Sequence, residues 1–298
     1  MAKYVSKDYA QAFTDRVIEI LESGKKLPWS KPWASQGGYR NAITQRPYSG
    51  VNVFILMLSA ELQGFKSEQW ATFKQISEAG GKVKKGSVGT QIAYFNAVEV
   101  EDRDTKERKN IFVRKFFTVF NAEQVEGIEF TDETPVYAEH SDDERKLALE
   151  NHLFAYAKNE GIAFNTGGDR AYYYPAGDAV QMPNYFKDVA GYCGVLAHEF
   201  IHSTGNQKRL DRFGEGALKT LEHREEYAQE ELVAEMGAGL LCGMFGIESR
   251  IDNHVSYLAS WLRALKNDKE FIFKAASQAQ KAIDFIANAV AQEEVKTA

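Results

Sequence analysis

Two histidines and a glutamate in the stretch LAHEFIHSTG, residues 196–205, have the spacing of a zinc-peptidase site. His198 and His202 are four residues apart, so on a helix their imidazoles lie on one face and can bind the same ion. Glu199 lies one position further round, where it can take a proton from a water held on that ion. This five-residue pattern also recurs by chance in unrelated chains. Solvated or helix-capping histidines are therefore the alternative interpretation.

A catalytic zinc ion needs a third protein ligand and one position left for water. Glu231, in the stretch EELVAE, is the candidate, 29 residues after His202, and Glu235 lies one helical turn further on. The pair is similar to the one that follows HExxH in gluzincin metallopeptidases, where the second acid accepts a hydrogen bond from a ligating histidine. We therefore predict that Glu231 is the third ligand and Glu235 the orienting acid. Glu230 is the alternative third ligand.

Small residues should let the two helices approach. Gly237 and Gly239 follow the acidic cluster, and their size predicts that this helix lies close to the HEFIH helix. The apolar surroundings also argue against a merely solvated acidic face. Together the two helices predict a three-ligand zincin-type site, with Zn²⁺ as the expected metal and Mn²⁺ or another divalent ion as alternatives.

Such a site predicts hydrolysis. A divalent ion lowers the pKa of a bound water to about 7, and Glu199 is the base that removes its proton. Two histidines and a buried glutamate favour amide hydrolysis at zinc over the carboxylate-rich magnesium sites of nucleases. The sequence leaves the oxyanion-stabilising residue open, with Tyr227, His223, His254 and the run Tyr172 to Tyr174 as candidates.

The elements around this site indicate an α+β module. Helical patterns flank the strand-like stretch RAYYYPAGDAVQMP, which comes just before the HEFIH helix. By analogy, many zincins place there the strand that pairs with an extended peptide. Two amphipathic helices are expected in the tail after residue 253.

The first half of the chain has a different composition. Residues 1–125 hold 19 Lys and Arg against 13 Asp and Glu, whereas residues 126–298 hold 17 against 29. An amphipathic helix, an aromatic loop, a buried helix ended by Gly64 and a long hairpin (QIAYFNAVEV and NIFVRKFFTVF) are expected in order. The acidic stretch with Pro135 then predicts three segments: an N-terminal α+β domain over 1–125, a linker over 126–144 and a zincin-like domain over 145–298.

Aromatic and basic residues alternate in the N-terminal half, as single-strand binding requires. Most of its aromatic residues must fill the core, so the loop aromatics are the better candidates for stacking bases. The predicted DNA contacts are Trp29, Lys31, Trp33, Tyr39, Arg40, Arg46, Tyr48, Lys82, Lys84, Lys85, Arg114 and Lys115. A chance partition of surface charge is the alternative, and no helix-turn-helix, zinc-finger or Walker pattern is present.

Several classes are excluded or disfavoured. The length of 298 residues fits about two domains. No apolar run reaches the roughly 18 residues of a membrane span, and the N-terminus lacks the apolar core of a signal peptide, so a cytoplasmic protein without a membrane partner is expected. The two cysteines, Cys193 and Cys242, lie in apolar surroundings without CxxC spacing and are expected to be buried thiols.

Longer phrases carry a family resemblance. LPWSKPW, TQRPYSGVNVFIL, WATFKQISEAGGKVKKGSVGTQIAYF and VFNAEQVEG resemble the N-terminal domain of ArdC-type antirestriction proteins, a domain also found on plasmid-encoded primases. AGDAVQMP, LAHEFIHSTGNQKRLDR, YAQEELVAEMGAGLLC and YLASWLRALKNDK resemble the metallopeptidase domain joined to it. The resemblance covers nearly the whole chain.

The resemblance implies a plasmid- or phage-borne protein that binds single-stranded DNA, carries a zincin-like domain and protects incoming DNA from restriction during conjugation. The competing hypothesis is a DNA-shielding protein whose metal site is structural or vestigial, without peptidase turnover. A metal-dependent nuclease is a third. The sequence leaves open the protein substrate, whether a peptidase would be active or latent, the native metal and the oligomeric state.

Overall fold

The computed structural model of the protein describes residues 9–23, 38–101, 108–130, 139–213, 224–249 and 254–297. The chain forms two compact units. The smaller unit comprises residues 37–133, and the larger one comprises residues 1–36 together with 134–298. Both units combine helices with small sheets, which confirms the α+β class.

The larger unit includes the first helix, α1 (Tyr9–Glu22). Its apolar face packs through the ring of Phe13, whose centroid lies 5.5 Å from that of Phe273, and the Thr14 hydroxyl donates to the carbonyl of Lys269 at 2.9 Å. Helix α1 thus packs with C-terminal elements, although the predicted N-terminal domain over 1–125 includes it, and those domain bounds stay a prediction. The amphipathic pattern identifies a helix, but it does not identify the surface that this helix covers.

The smaller unit contains two sheets. In chain order its elements are β1 (Arg40–Asn41), α2 (Val51–Gln63), β2 (Gln69–Thr72), α3 (Phe73–Glu78), β3 (Lys82–Val83), β4 (Thr90–Glu101), β5 (Arg108–Asn121) and β6 (Val125–Glu126). One sheet has the order β1-β2-β5-β4, with β1 and β2 parallel and the remaining pairs antiparallel, and β3 pairs with β6 in the other. The buried helix ended by Gly64 and the hairpin are confirmed.

Helix α2 protects an edge of this sheet. Among the described strands, β4 pairs only with β5, and on its other side the Asn52 side chain of α2 forms hydrogen bonds with both backbone groups of Ala93. An exposed strand edge is a template for unwanted pairing, so this side chain satisfies groups that the ladder leaves open. The core between helix and sheet is apolar, with Phe54, Leu56 and Trp70 fully buried.

The larger unit is mainly helical around a three-stranded sheet. After α1 its elements are α4 (Asp142–Glu160), β7 (Ala163–Thr166), β8 (Tyr172–Tyr174), β9 (Ala179–Met182), α5 (Val189–Thr204), α6 (Arg224–Met244), α7 (His254–Asn267) and α8 (Phe271–Thr297). The sheet order is β7-β9-β8, with β7 parallel and β8 antiparallel to β9. The strand-like stretch before the HEFIH helix thus forms a hairpin, and the two tail helices are confirmed. Helix α4 begins inside the predicted linker, because Ser141 caps it.

Helices α5 and α6 pack closely at one glycine. A Cβ atom on Gly237 would lie 2.9 Å from the Cδ1 and Cγ1 atoms of Ile201 on α5. A real Cβ contact does not come that close, so the approach requires glycine at this position. The prediction that small residues bring the two helices together is confirmed at Gly237.

Two further expectations can be compared with the structure. Cys193 and Cys242 are free and buried, as predicted. Among the described helices, none combines the length with the apolar character that crossing a membrane requires.

We predict that Gly237→Ala destabilises the protein by about 1–3 kcal/mol, because overpacking forces α5 and α6 apart. Urea unfolding measures this change. The double variant with Ile201→Ala should lose less than the sum of the two single losses, since it removes the side chain that the new methyl group meets. Strict additivity of the two losses would show that the glycine is not needed for this contact.

Candidate metal centre

The HEFIH sequence lies in the last turns of α5, where two features fix its orientation. Asp188 begins the helix by accepting a hydrogen bond from the Gly191 amide at 2.7 Å. The apolar face of the helix is buried, with Leu196, Phe200 and Ile201 fully covered. His198 and His202 consequently lie on the face that meets α6, each with a side chain only 12% exposed.

The two histidines meet Glu231 of α6. The Nε2 atoms of His198 and His202 are 3.0 Å apart, and each lies 3.5 Å from a carboxylate oxygen of Glu231. Tetrahedral ligands at zinc distances of about 2.0–2.1 Å lie about 3.3 Å from one another. The three donor atoms therefore have the separations that a single divalent ion requires. They form the one group of three such donors found among the described residues.

A different acid from the predicted one orients His202. Its Nδ1 atom lies 3.0 Å from a carboxylate oxygen of Glu230, and the Arg212 guanidinium donates to both oxygens of that carboxylate at 2.7 and 2.8 Å. Glu235 was predicted to make this contact and does not make it with either ring. The remaining nitrogen of His198, Nδ1, is buried without a hydrogen-bond partner. Glu230, the alternative third ligand, is thus the orienting acid.

Three neighbouring acids of α6, Glu230, Glu231 and Glu235, have different pKa shifts. Burial by itself would raise the pKa of Glu231, but hydrogen bonds from His198 and His202 outweigh it and lower that pKa. Burial likewise opposes ionisation of Glu230, yet Arg212 and then His202 hold its pKa below the usual range. For Glu235, burial, followed by the charge of Glu231, raises the pKa to about 8. Burial lowers the pKa of His202, but bonds to Glu230 and Glu231 exceed this and raise it to about 10.

The remaining predicted residues of this unit have distinct positions. Glu199, the candidate base, adjoins His198 on α5 and is buried. Among the candidates for oxyanion stabilisation, Tyr173 donates to Asp178 at 2.7 Å, whereas Tyr172, Tyr174 and Tyr227 are exposed. His223 lies outside the described residues, as does the side chain of His254.

The predicted DNA contacts fall into three groups: residues outside the described part of the chain, residues held within the fold, and exposed residues. Trp29, Lys31 and Trp33 lie outside the described residues, as does the side chain of Arg114. Arg40 is buried, and burial raises the pKa of the half-buried Tyr39. Tyr48 donates to the carbonyl of Trp70 at 3.2 Å, so its ring is held within the fold. The exposed members are Arg46, Lys82, Lys84, Lys85 and Lys115.

Three residues that the structure identifies as candidates were not selected from the sequence: Tyr94, Phe117 and Arg212. Tyr94 and Phe117 are aromatic residues on strands, for which a core position is the usual expectation, yet they are 53% and 45% exposed. Arg212 follows the HEFIH helix, and its type and proximity in sequence were the only available signal. Its contact with Glu230 joins the segment after α5 to α6, which no local pattern reveals.

Comparison with known proteins finds two family matches, one in each half of the chain. Residues 7–120 match the family described as the N-terminal domain of the anti-restriction factor ArdC, and residues 151–278 match a family of zincin-like metallopeptidases. The crystal structure of the antirestriction ArdC protein from plasmid R388 in its metal-free form is 39% identical, with a TM-score of 0.78 over 96% of this chain and 98% of that one. Its Mn(II)-bound structure is 38% identical, with a TM-score of 0.76 over 95% and 98%.

Two curated relatives extend the comparison. The uncharacterized protein y4eC of Sinorhizobium fredii is 31% identical over 94% of this chain and 91% of its own length. A DNA primase TraC of Escherichia coli is 31% identical over 95% of this chain, which spans 27% of the primase.

We predict that Glu231→Gln and Glu235→Gln have different effects on metal binding. The first should raise the dissociation constant for a divalent ion by more than tenfold, because it removes a charged ligand oxygen. Glu235→Gln should change this dissociation constant by no more than a few-fold, because Glu235 supplies no ligand atom. Chelator competition against both isosteric variants of α6 measures the difference. Equal losses would contradict the assignment of Glu231 as the ligand.

Proposed function

The chain belongs to the family of ArdC-type antirestriction proteins, and from this premise we propose that it combines a metal-dependent peptidase centre with a surface for single-stranded DNA. Its task is to protect incoming plasmid DNA from restriction in the recipient during conjugation. The smaller unit carries the DNA surface and the larger unit carries the metal. The observation that supports the proposal most strongly is the buried set of two histidines and one glutamate beside a glutamate that is not needed as a ligand.

The peptidase assignment rests on the different roles of the residues in HEFIH, where the two histidines are ligands and Glu199 is the base. His198, His202 and Glu231 would hold the ion, for which we propose Zn²⁺, with Mn²⁺ as the alternative that the Mn(II)-bound relative supports. A bound divalent ion supplies Lewis acidity and lowers the pKa of a water. Glu199, buried beside His198, would then serve as the general base and afterwards as the general acid for the leaving amine. Because a purely structural site would not need Glu199, its presence favours turnover.

The sheet of the larger unit offers a place for an extended chain. Strand β8 is an edge strand of this sheet, and its one described strand neighbour is β9. An extended peptide can pair with such an edge through backbone hydrogen bonds. Tyr172 and Tyr174 alternate with the buried Tyr173, so two exposed rings flank this edge. We propose a protein rather than a nucleic acid as the substrate of the metal centre.

For the DNA surface we propose a pair of rings on the β4–β5 hairpin. The centroids of Tyr94 and Phe117 are 6.0 Å apart in an edge-to-face arrangement, and Lys115 is the direct cross-strand partner of Tyr94. Paired residues of neighbouring strands lie on one face, so two exposed rings and an exposed cation share it. Stacking on ring faces next to a phosphate-binding cation is how single strands are bound without reading sequence.

We expect Glu199→Gln to keep the metal and lose protein cleavage. General base catalysis contributes roughly 10²–10⁴-fold, so the variant should abolish detectable turnover. The measurement compares metal content with protection of a transferred plasmid in a restricting recipient, and Glu139→Gln, an exposed acid of the same unit, is the control. Full protection by a metal-loaded Glu199→Gln protein would instead support the competing hypothesis of DNA shielding without turnover.

We expect Tyr94→Ala and Phe117→Ala each to weaken binding of a labelled single strand by about 1–3 kcal/mol, the usual worth of one stacked ring. Lys115→Ala should also reduce the salt dependence by about 0.7 in the log–log slope, since one phosphate contact is lost. Fluorescence anisotropy at several salt concentrations measures both effects.

The matched control is Phe73→Ala, since Phe73 is 61% exposed but packs against Phe120. If Phe73→Ala weakens single-strand binding as much as Tyr94→Ala and Phe117→Ala do, the proposed location of the DNA surface is wrong. If the unchanged protein shows no single-strand preference, the DNA-binding function itself fails.

A further inference from the structure

The turn that follows α5 contains two arginines with buried side chains. Arg209 is completely covered, and the side chain of Arg212 is 6% exposed. A guanidinium group is costly to remove from water unless several partners accept its hydrogen bonds. The partners of these two side chains therefore indicate what the turn is built to hold.

Arg209 connects α5 to the β8–β9 hairpin. Its Nε donates to the carbonyl of Ser203 at 2.7 Å, and its remaining nitrogens donate to the carboxylate of Asp178 and to the Tyr173 hydroxyl. None of these partners is a metal ligand or touches one in a described contact. This arginine braces the sheet side of α5.

Arg212 reaches the opposite side of the same helix. It donates to the carbonyl of Ile201 at 2.9 Å and to the hydroxyl of Thr204 at 2.7 Å, both on α5. Its Nε and Nη2 atoms also donate to the two carboxylate oxygens of Glu230 on α6. The same carboxylate lies 3.0 Å from Nδ1 of His202. One guanidinium thus joins both helices that carry the metal ligands.

Gly205 lies directly against this guanidinium. A Cβ atom there would lie 3.0 Å from an Nη atom of Arg212 and 2.8 Å from the ring of Phe213. A larger residue at this position would therefore require the Arg212 guanidinium or the Phe213 ring to shift. The backbone of the turn is also held, since the Arg212 amide donates to the carbonyl of Gly205 at 3.0 Å.

We propose that Arg212 is a positioning residue for the metal centre and acts through Glu230 on His202. Arg212 fixes the carboxylate of Glu230, which accepts the Nδ1 proton of His202. The imidazole is then held in the tautomer whose Nε2 lone pair is directed at the position shared with His198 and Glu231. Without Arg212, the Glu230 carboxylate would lose its anchor, and the ring would lose both orientation and tautomer. This inference rests on the proposed metal-dependent function.

The test compares the two arginines of the turn in the full chain. Arg212→Gln should raise the dissociation constant for Zn²⁺ or Mn²⁺ by roughly 10–100-fold, the usual effect of losing a partner behind a ligating histidine. Arg212→Lys should give an intermediate loss, because an ammonium keeps the charge but cannot donate as a fork. Arg209→Gln should lower the thermal midpoint yet keep the dissociation constant within about threefold. Chelator competition is run at a temperature where circular dichroism shows all variants folded.

A spectroscopic measurement separates positioning from general loosening. Long-range ¹H–¹⁵N correlation spectra of the metal-free protein should show a downfield Nδ1 proton on His202, held by its hydrogen bond to Glu230, and Arg212→Gln should move this resonance upfield or lose it to exchange with solvent. An unchanged dissociation constant and an unchanged Nδ1 proton resonance in folded Arg212→Gln would overturn the proposal, as would an equal rise of the dissociation constant in Arg209→Gln. If the unchanged protein binds no metal, the proposed function fails, while the Nδ1 proton resonance still tests the role of Arg212.

Discussion

The approach of α5 to α6 is the constraint on which the metal centre depends. Two ligands come from one helix and the third from the other, so no local sequence can assemble the site. The absence of a side chain at Gly237, against Ile201, sets how near the two backbones can come. At this separation the donor atoms of His198, His202 and Glu231 lie 3.0 and 3.5 Å apart, as ligands of one ion do.

A buried helix that carries three carboxylates within six residues requires an explanation, because each uncompensated charge would be costly. The structure handles each one differently. Glu231 is stabilised as an anion by two imidazoles, and Glu230 by the fork of Arg212. For Glu235, burial, followed by the charge of Glu231, raises the pKa to about 8. The helix thus presents one carboxylate for the metal and one for the histidine behind it.

Features that depend on helical periodicity could be predicted from the sequence. Features that depend on how a helix is rotated and packed in the folded protein could not. Spacing alone identified the two histidines, the candidate base and the acidic helix, because residues four apart share a helical face. It selected Glu235 over Glu230 as the orienting acid, since the choice depends on how α6 is rotated towards α5. The amphipathic pattern of α1 likewise predicted the helix but not the unit on which it packs. Exposure of Tyr94 and Phe117 could not be read from strands whose composition is typical of a core.

X-ray absorption spectroscopy of the protein loaded with one equivalent of Zn²⁺ tests the central claim most directly. It reports the number, type and distance of the ligands without reference to any substrate. The account predicts two imidazoles and one carboxylate oxygen at about 2.0–2.2 Å, completed by a water oxygen. A shell that lacks imidazole or contains sulfur from Cys193 or Cys242 would contradict it, because the ion would then not be held by His198, His202 and Glu231.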